Sequence, residues 1–334
     1  MRSSDADVLV IGAGVSGLTT AVCLAEAGAR VAVQAELPPG WTTSAVAGAI
    51  WGAHLVGLDD RVSRWGLVTL GRLCELAEPG QPGTGIRLLG GRQVTGRDAI
   101  AEDAVAALAD VRPCGPQDLP DGYTAGWRYT APVIAMPVYL AYLADRLGRA
   151  GGTLETGIAF GSPAEAAGRT AAKVLVNCTG TGAHGFVRDP CVVPVRGQAV
   201  VVANPGLSEF FIGMGRDGAA TSGAGTGLVY LFPHESTVVL GGTQDTGSWS
   251  REPDPATAAR ILEGCAAVEP ALRGARVIAH KAGLRPTRPQ VRLEAEDLDG
   301  VRTLVHNYGH GGAGVTLSWG CAADAAALAL AALG

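Results

Sequence analysis

The sequence predicts an α/β fold in two parts: a βαβ unit that binds a nucleotide at the N-terminus, and a second part built from antiparallel strands. Residues 8–36 have the pattern of a strand, a glycine-rich turn, a helix and a second strand. From residue 192 onward, short apolar runs alternate with turn residues, which is typical of antiparallel strands. The 334 residues, 47% of them hydrophobic, are enough to bury a substantial core.

The N-terminal unit carries the spacing G-x-G-x-x-G at Gly12, Gly14 and Gly17. The first glycine permits a tight turn, the second lets the backbone approach a pyrophosphate, and the third allows close packing of helix and strand. Glu36 follows the second strand, where a carboxylate can accept the hydroxyl groups of an adenosine ribose. This unit predicts a dinucleotide site without distinguishing NAD from FAD, and the alternative is an ordinary βαβ unit with a glycine turn.

Further elements follow from apolar periodicity and turn residues. We predict helices at residues 65–76, 103–111, 136–151 and 255–268, the last with Asp254 as its N-cap. Strands are predicted at residues 173–177, 196–203, 228–232, 237–240, 275–282 and 301–305, with an extended segment at 123–133. Residues 213–227 are almost devoid of anchoring side chains, which predicts a mobile loop.

Composition excludes several classes of function. The formal charge is −5 and no run of basic residues occurs, so we expect neither nucleic acid nor a membrane surface as a partner. The apolar stretch at residues 322–333 contains Asp324 and is too short to span a bilayer, which predicts a soluble, cytoplasmic protein. The seven cysteines show no C-x-x-C spacing and predict no metal site. Four of them lie among apolar residues and are expected to fill the core, namely Cys23, Cys178, Cys265 and Cys321.

The C-terminal run LVHNYGHGGAGVTLSWGCA at residues 304–322 resembles the signature of the D-amino-acid oxidase family. It places His306 and Tyr308-Gly309 after two apolar residues, followed by small residues, Gly314, Gly320 and Ala322. Other blocks extend the resemblance over nearly the whole chain: the N-terminal glycines and residues 42–44, 49–51, 176–180, 196–198 and 283–294.

The resemblance implies a Rossmann-type FAD-binding domain assembled from residues 1–60, 136–190 and 280–334. It also implies a smaller antiparallel-sheet (α+β) substrate-binding domain from residues 61–135 and 191–279. Members of the family use non-covalent FAD to oxidise a D-amino acid by hydride transfer from Cα to flavin N5. The products are a 2-oxo acid and ammonia, and oxygen reoxidises the flavin to give hydrogen peroxide. The expected partners are therefore a small D-amino acid and oxygen, and a homodimer is left open.

The resemblance also implies which residues hold FAD. They lie in the glycine-rich turn, after the second strand, in the Thr-Thr-Ser segment, after the strand at 173–177 and in the C-terminal signature. They are Gly12, Ala13, Gly14, Val15, Ser16, Gly17, Glu36, Thr42, Thr43, Ser44, Gly48, Ala49, Ile50, Thr179, Gly180, Arg285, Gly311, Gly312, Gly314, Val315 and Thr316. The N–H groups of residues 311–316 are expected near the flavin pyrimidine ring, where they would stabilise negative charge on the reduced flavin.

Three residues carry the expected catalytic roles. Arg285 would bind the substrate carboxylate at two points, because a planar guanidinium matches a carboxylate. The Tyr230 hydroxyl would support the same carboxylate, and the Gly312 carbonyl would accept the substrate amine. The alternatives are a structural ion pair for Arg285, for which Arg288 and Arg292 are better candidates, and a half-buried strand aromatic for Tyr230. His306 and His310 are expected to hydrogen-bond their neighbours rather than to act as bases.

The substrate side chain is expected to contact Ile50, Gly213 and Phe232, which carry no charge and predict neutral, mostly apolar substrates. The family's second tyrosine, four positions before Tyr230, is replaced by Thr226, which predicts a looser lid. The nearest alternative is a D-aspartate or D-glutamate oxidase, with Arg216 or His54 facing an acidic side chain. A more distant alternative is a nicotinamide-dependent dehydrogenase.

Overall fold

The computed structural model describes residues 5–52, 60–81, 83–96, 105–215 and 227–334. The helices of these segments are α1 Val15–Glu26, α2 Thr43–Val46, α3 Asp60–Leu76, α4 Met136–Arg149, α5 Pro163–Gly168, α6 Ala183–Phe186, α7 Pro255–Val268 and α8 Ser318–Leu333. The strands are β1 Val8–Ile11, β2 Val31–Ala35, β3 Ile86–Thr95, β4 Ala109–Pro113, β5 Ala125–Ile134, β6 Thr153–Thr156, β7 Val174–Asn177, β8 Val193–Ala203, β9 Phe210–Met214, β10 Val229–Pro233, β11 Thr237–Gly241, β12 Asp245–Thr246, β13 Val277–Asp297 and β14 Thr303–His310.

One end of the sheet is parallel and has the strand order β14-β7-β1-β2-β6. Strand β1 is apolar and fully buried because helices cover the parallel sheet, which is the usual environment of such strands. Helices α1, α4 and α8 pack together over β1, β2 and β7 in one hydrophobic cluster. The predicted N-terminal βαβ unit is therefore confirmed.

The other end of the sheet is mainly antiparallel, and strand β13 joins the two ends. Along its length β13 pairs with β8 on one side and with β14 on the other. Beyond β8 the order continues through β11, β10, β9, β3, β5 and β4, and α7 packs against β8, β10 and β11. This mixture of a parallel nucleotide-binding part and an antiparallel part confirms the predicted α/β fold class.

Three predicted elements differ from the structure. The loop predicted at 213–227 begins later, because Gly213 and Met214 belong to β9, and its residues 216–226 lie outside the described part of the chain. The helix predicted at 103–111 is wrong over its described residues, because residues from Ala109 pair with β5 as strand β4. Pairing with a neighbouring strand overrides the local helical pattern there. The strand predicted at 275–282 is much longer and continues to Asp297, with Pro286 inside it. The pairing register with β14 shifts between Thr287 and Arg292, and such irregular places tolerate proline.

The predicted division into two discontinuous domains stays a prediction. Helix α3, which the prediction assigned to the substrate domain, packs against α8 of the nucleotide-binding part. Arg64 forms an ion pair of 2.5 Å with Asp324, and the indole N–H of Trp65 donates to the same carboxylate at 2.7 Å. Gly320 lies directly against the Trp65 backbone, where a β-carbon would not fit. The two helices on either side of the predicted boundary are therefore in close contact.

The cysteines expected in the core are in fact enclosed. Cys178, Cys265 and Cys321 are buried and Cys23 is partly buried. Burial raises the pKa of the Cys178 and Cys265 thiols to about 12, so both stay protonated at neutral pH.

Among the helices of the described segments, none combines the length and the apolar character needed to cross a membrane.

Candidate active site

A cavity of about 1000 Å³ runs along the C-terminal ends of the parallel strands and reaches the antiparallel part. Ligands of open α/β sheets bind at this edge, because the loops that follow the strands meet there. Every predicted cofactor residue except Gly17 lines this cavity, and so do Tyr230 and Phe232. The structure therefore brings together residues that are separated by up to about three hundred positions in the chain, from Gly12 to Thr316.

The glycine-rich turn forms one end of the cavity. Gly12 has a φ of 113°, and a β-carbon there would lie 2.5 Å from the Cys178 carbonyl oxygen. Gly17 does not face the cavity, because it packs against the Gly12 carbonyl and lets α1 approach the turn. The first amide of the helix, Val15, donates to the Ser44 hydroxyl at 3.0 Å. Turn, helix N-terminus and hydroxyl thus form a cradle with room for a phosphate group.

The second strand and the segment after β6 form the far wall of this end. Glu36 follows β2 immediately and lines the cavity. Its carbonyl accepts a hydrogen bond from the Gly157 amide at 3.2 Å, which brings the residues after β6 to the same place. Residues 158–161 line the cavity on the same side as Glu36, with Phe160 among them. A carboxylate beside an apolar wall can hold a ribose and the base attached to it.

Helix α2 connects the phosphate cradle to strand β13. The Thr43 hydroxyl donates to the Leu284 carbonyl at 3.2 Å, and the Lys281 ammonium donates to the Ala45 carbonyl at 3.2 Å. Gly283 faces Val46, where a β-carbon would be in tight contact at 3.2 Å. The hydroxyl segment 42–44 is therefore fixed on the strand that carries Arg285.

Ala49, which follows α2, has a strained backbone. Its φ is 53°, in the left-handed region that costs a residue with a β-carbon about 1 kcal/mol. The conformation is held by a hydrogen bond of 2.8 Å from the Ile134 amide to the Ala49 carbonyl and by the bridge between Ile50 and Val133. The strained residue and its neighbours Gly48 and Ile50 all line the cavity, and strain of this kind is often found at functional sites.

The Arg285 side chain passes over strand β8 at Gly197. A β-carbon at Gly197 would lie 2.6 Å from both terminal nitrogens of the guanidinium. One of these nitrogens, Nη1, donates to the Thr243 carbonyl at 3.0 Å on the far side of β8. No ion pair with Arg285 occurs among the described residues, whereas Arg288 pairs with Asp189 and Arg292 with Glu294, as predicted for those two. The Arg285 charge thus faces a cavity without a carboxylate partner from the described protein.

Tyr230 stands beside this guanidinium in a stack with Phe232. Their ring centroids are 4.8 Å apart, and two glycines, Gly48 and Gly241, leave the room in which the rings lie. Burial raises the pKa of the Tyr230 hydroxyl, and the nearby charge of Arg285 opposes this shift. The hydroxyl therefore stays protonated at neutral pH and can donate to an anion held by Arg285.

The turn after β14 is attached to the strand that carries Arg285. The Gly311 amide donates to the Pro286 carbonyl at 2.9 Å, next to Arg285 in the chain. The Thr316 hydroxyl donates to the Gly52 carbonyl at 2.7 Å and accepts from the Gly52 amide at 3.2 Å, so it fastens the turn to the segment after α2. Gly312 lies between these two attachments on the cavity wall.

His310 is part of a directed hydrogen-bond chain. The Thr20 hydroxyl donates to the Ser16 carbonyl at 2.7 Å, so Thr20 accepts from the Asn307 amide at 3.0 Å. The Asn307 oxygen therefore faces His310 Nε2, at 3.1 Å, and fixes the tautomer with the proton on Nε2. Nδ1 faces the Ser16 hydroxyl at 3.5 Å. Burial lowers the pKa of His310 to about 4, so the ring is neutral at pH 7.

His306 lies away from the cavity. Its Nδ1 is 3.3 Å from the Asn177 amide, and its Nε2 is 3.1 Å from Glu296 at an angle unsuited to a hydrogen bond. Burial lowers the pKa of His306 although the Glu296 carboxylate raises it. Both histidines contact neighbouring side chains, in agreement with the expectation that they hydrogen-bond neighbours.

The apolar wall differs from the prediction at Gly213. Strand residues alternate between the two faces of a sheet. Gly213 faces Tyr123 and Phe211, away from the cavity, and its neighbours Ile212 and Met214 face the cavity instead. Together with Ile50, Leu228 and Phe232 they form an apolar wall beside Tyr230. The apolar run at 210–214 shows no alternation of polar and apolar residues, so the sequence alone did not distinguish the cavity side of β9.

Three residues named in the substrate prediction, His54, Arg216 and Thr226, lie outside the described residues. Among the residues that are described, the ionisable acidic and basic side chains on the cavity wall are Glu36, Arg251, Arg285 and His310. Arg251 and its neighbour on the wall, Gln244, were not predicted. They follow β11 in a segment with no motif, so no signal in the sequence pointed to them.

Comparisons with known proteins agree with this geometry. Residues 7–328 match the family model described as DAO, FAD dependent oxidoreductase. A D-amino-acid oxidase of Rubrobacter xylanophilus is 50% identical over 98% of this chain and 97% of its own, and one of Streptomyces coelicolor is 45% identical over 97% of each. A human D-aspartate oxidase is 34% identical over 97% of this chain and 94% of its own. The crystal structure of glycine oxidase from Geobacillus kaustophilus covers 98% of this chain and 95% of its own with a TM-score of 0.76, at 21% identity.

Proposed function

Because the chain belongs to the DAO family of FAD-dependent oxidoreductases, we propose that it oxidises neutral, mostly apolar D-amino acids to 2-oxo acids, ammonia and hydrogen peroxide. Membership confirms the predicted FAD cofactor in place of the nicotinamide alternative. The cavity has the glycine cradle, carboxylate and hydroxyl segment that this dinucleotide needs. When bound, FAD accepts the hydride from Cα and passes the electrons to oxygen.

One observation supports the proposal most directly: the Arg285 guanidinium lines the cavity beside Tyr230 and has no carboxylate partner among the described residues. A substrate carboxylate would accept from both groups, and the charge-assisted bonds would hold it tightly. The Gly312 carbonyl, in the turn after β14, would accept from the substrate amine, and the apolar wall would take the side chain. Fixing three substituents of Cα distinguishes enantiomers, and the names of the relatives favour the D form.

The chain's own residues would otherwise orient the substrate and exclude water. The neutral His310 and the buried His306 are not required to move a proton if the substrate amine binds unprotonated. The amides of residues 311–316 would stabilise negative charge that develops during the reaction. The proposed catalytic contribution of the protein is thus positioning and electrostatics, while the cofactor carries out the oxidation.

The test is reduction of the purified yellow protein by amino acids without air. D-valine, D-leucine, D-methionine and D-alanine should bleach the flavin, and air should then restore the colour with release of peroxide. The L-enantiomers are the controls. A colourless protein that consumes NAD would contradict the proposal.

The same panel separates the acidic alternative. A human D-aspartate oxidase is among the relatives, so D-aspartate and D-glutamate belong in the panel. Ile212, Met214 and Phe232 offer no charge to an acidic side chain, which supports the preference for neutral substrates. Faster reduction by the acidic pair would overturn the preference for neutral substrates while keeping the oxidase assignment.

Two variants test the carboxylate site. Arg285→Ala should keep FAD and lose peroxide production from D-amino acids. Arg285→Lys is the matched control, because it keeps the charge but loses the two-point geometry, and it should retain part of the activity. Ordinary activity in Arg285→Ala would contradict the role of this residue.

A further inference from the structure

Asp189 is a buried carboxylate that the proposed reaction does not use. It is 6% exposed and lies after α6, close to the cavity wall. Its Oδ2 accepts from the Tyr308 hydroxyl at 2.7 Å and from Arg288 Nε at 2.9 Å, and its Oδ1 accepts from the Cys191 amide at 2.9 Å. Burial raises the pKa of Asp189, but these three hydrogen bonds together lower it below its ordinary value. The group is therefore ionised and fully engaged at neutral pH.

The Asp189 carboxylate connects strands β13 and β14 at the place where their pairing is interrupted. Strands β13 and β14 pair at Thr287 and His310, and their pairing resumes only at Arg292 and Tyr308. The residues between, 288–291, bulge away from β14, and bulges of this kind next to a site re-aim side chains. Asp189 bonds to one side chain from each strand at this place.

The Arg288 side chain lies over the backbone of β14. Gly309 has a φ of 87°, and a β-carbon there would lie 3.0 Å from the Arg288 β-carbon. The Arg288 side chain thus passes over Gly309 on its way to Asp189, and a larger residue than glycine at position 309 would obstruct it. From the other side, Arg292 Nη1 donates to the Tyr308 hydroxyl at 3.0 Å, so this hydroxyl both accepts and donates.

Both strands carry site residues within a few positions of this contact. Arg285 precedes Arg288 by three residues on β13, and the turn with Gly312 follows Tyr308 on β14. The Gly311 amide bonds to the Pro286 carbonyl between them. Asp189 itself belongs to the segment that begins with Gly180 on the cavity wall, and Tyr308 packs against Ala183 of that segment.

We propose that Asp189 is a positioning residue for the oxidation, which sets the separation between the Arg285 guanidinium and the Gly312 carbonyl by joining the two strands at their bulge. The inference rests on the proposed function, because the two groups are placed for the carboxylate and the amine of one substrate. Asp189 does not touch the cavity and acts through Arg288 and Tyr308.

The experiment compares three variants of the FAD-loaded protein. Asp189→Asn removes the charge that holds Arg288, and Tyr308→Phe removes only the hydroxyl while keeping the ring in its packing. Asp118→Asn is the matched control, since Asp118 also accepts from an arginine, Arg128 at 2.9 Å, and from a backbone amide, Gly115 at 3.0 Å, but does not line the cavity. The measurements are the midpoint of thermal unfolding, the Kd of 3-methylbutanoate from the flavin spectrum, and the rate of anaerobic reduction by D-valine.

Asp189→Asn and Tyr308→Phe should each weaken 3-methylbutanoate binding and slow reduction by about tenfold or more, since displacements below 1 Å already cost this much at an oriented site. Asp118→Asn should lower the unfolding midpoint and leave both other quantities within twofold of the wild type. If the two test variants lower only the unfolding midpoint, Asp189 has a structural role alone and the inference is overturned. Should Asp189→Asn not fold, Tyr308→Phe decides the question.

The outcome is separable from that of the proposed function. If no D-amino acid reduces the wild-type flavin, the oxidase proposal fails. The binding of 3-methylbutanoate still reports the position of Arg285 in that case, because it requires no turnover. An unchanged Kd in both test variants would then overturn the role of Asp189.

Discussion

Replacing Gly197 by alanine should disable the carboxylate site without unfolding the protein. The new β-carbon would lie 2.6 Å from Nη1 and Nη2 of Arg285 and 2.7 Å from its Cζ. Ordinary carbon contacts begin at about 3.5 Å, so the guanidinium must move by about 1 Å. It can do so because it is the end of a flexible side chain, but its hydrogen bond to the Thr243 carbonyl, 3.0 Å long, would be strained or lost.

The consequence for activity is large because the carboxylate is held at two points. A displacement of about 1 Å at an oriented site costs about a hundredfold in rate, which corresponds to about 2.7 kcal/mol of transition-state stabilisation. The stability should change little. Gly197 does not have a positive φ, and alanine in a strand interior is favoured over glycine by about 0.5–1 kcal/mol, which offsets the local crowding.

The assay measures kcat/KM for D-valine, FAD content and the midpoint of thermal unfolding for Gly197→Ala. The matched control is Gly90→Ala, which adds the same methyl group to a strand glycine with no atom within 4 Å. We expect about a hundredfold lower kcat/KM in Gly197→Ala, with full FAD content, and wild-type values for the control. Wild-type kcat/KM in Gly197→Ala would refute the reasoning, because it would show that activity does not depend on the observed position of the Arg285 guanidinium.

Three further changes have distinct expected results. The pKa of His310 is about 4 in the folded protein, against an ordinary value of 6.5. Between these two pH values the imidazole is protonated in the unfolded chain but not in the folded one. Lowering the pH from 7 to 4 should therefore reduce the free energy of unfolding by about 3 kcal/mol. Denaturant titrations from pH 7 to 4 should show this slope reduced in His310→Gln, and an identical slope would contradict the assignment. Ala49→Gly should raise the free energy of unfolding by up to about 1 kcal/mol through relief of backbone strain, and a fall of that size would show that the strain is absent. Glu36→Ala should weaken FAD binding to the apoprotein by about tenfold or more, measured by flavin fluorescence, whereas unchanged affinity would place the ribose elsewhere.

Local patterns predicted those parts of the fold whose cause is local. The strand β1 and helix α1 follow from an apolar run and spaced glycines, and α7 follows from its periodicity. The Asp254 side chain accepts from the Thr257 amide at 2.7 Å, as an N-cap should. The helix predicted at 103–111 is wrong for a non-local reason. Strand β4 forms because it pairs with β5, and the sequence of the segment does not reveal this partner.

The candidate site shows the same division. The spacing of the glycines predicts the nucleotide end, although Gly12 itself leaves room for the Cys178 carbonyl, which is distant in sequence. Ile212 and Met214 face the cavity because side chains alternate along β9, whereas the resemblance points to Gly213, which faces the other side of the sheet. Gln244 and Arg251 reach the cavity only through the course of the chain after β11.

The glycines outside the nucleotide-binding turn explain why the site could not be assembled from sequence alone. The chain has 49 glycines, and a pattern identifies those that serve turns and caps. Gly48, Gly197 and Gly241 do something else: each leaves empty the space that the side chain of Phe232, Arg285 or Tyr230 fills. Such a glycine has no local signature, because its cause is a side chain distant in sequence. The same reasoning predicts that a methyl group at any of these three positions displaces a side chain of the site.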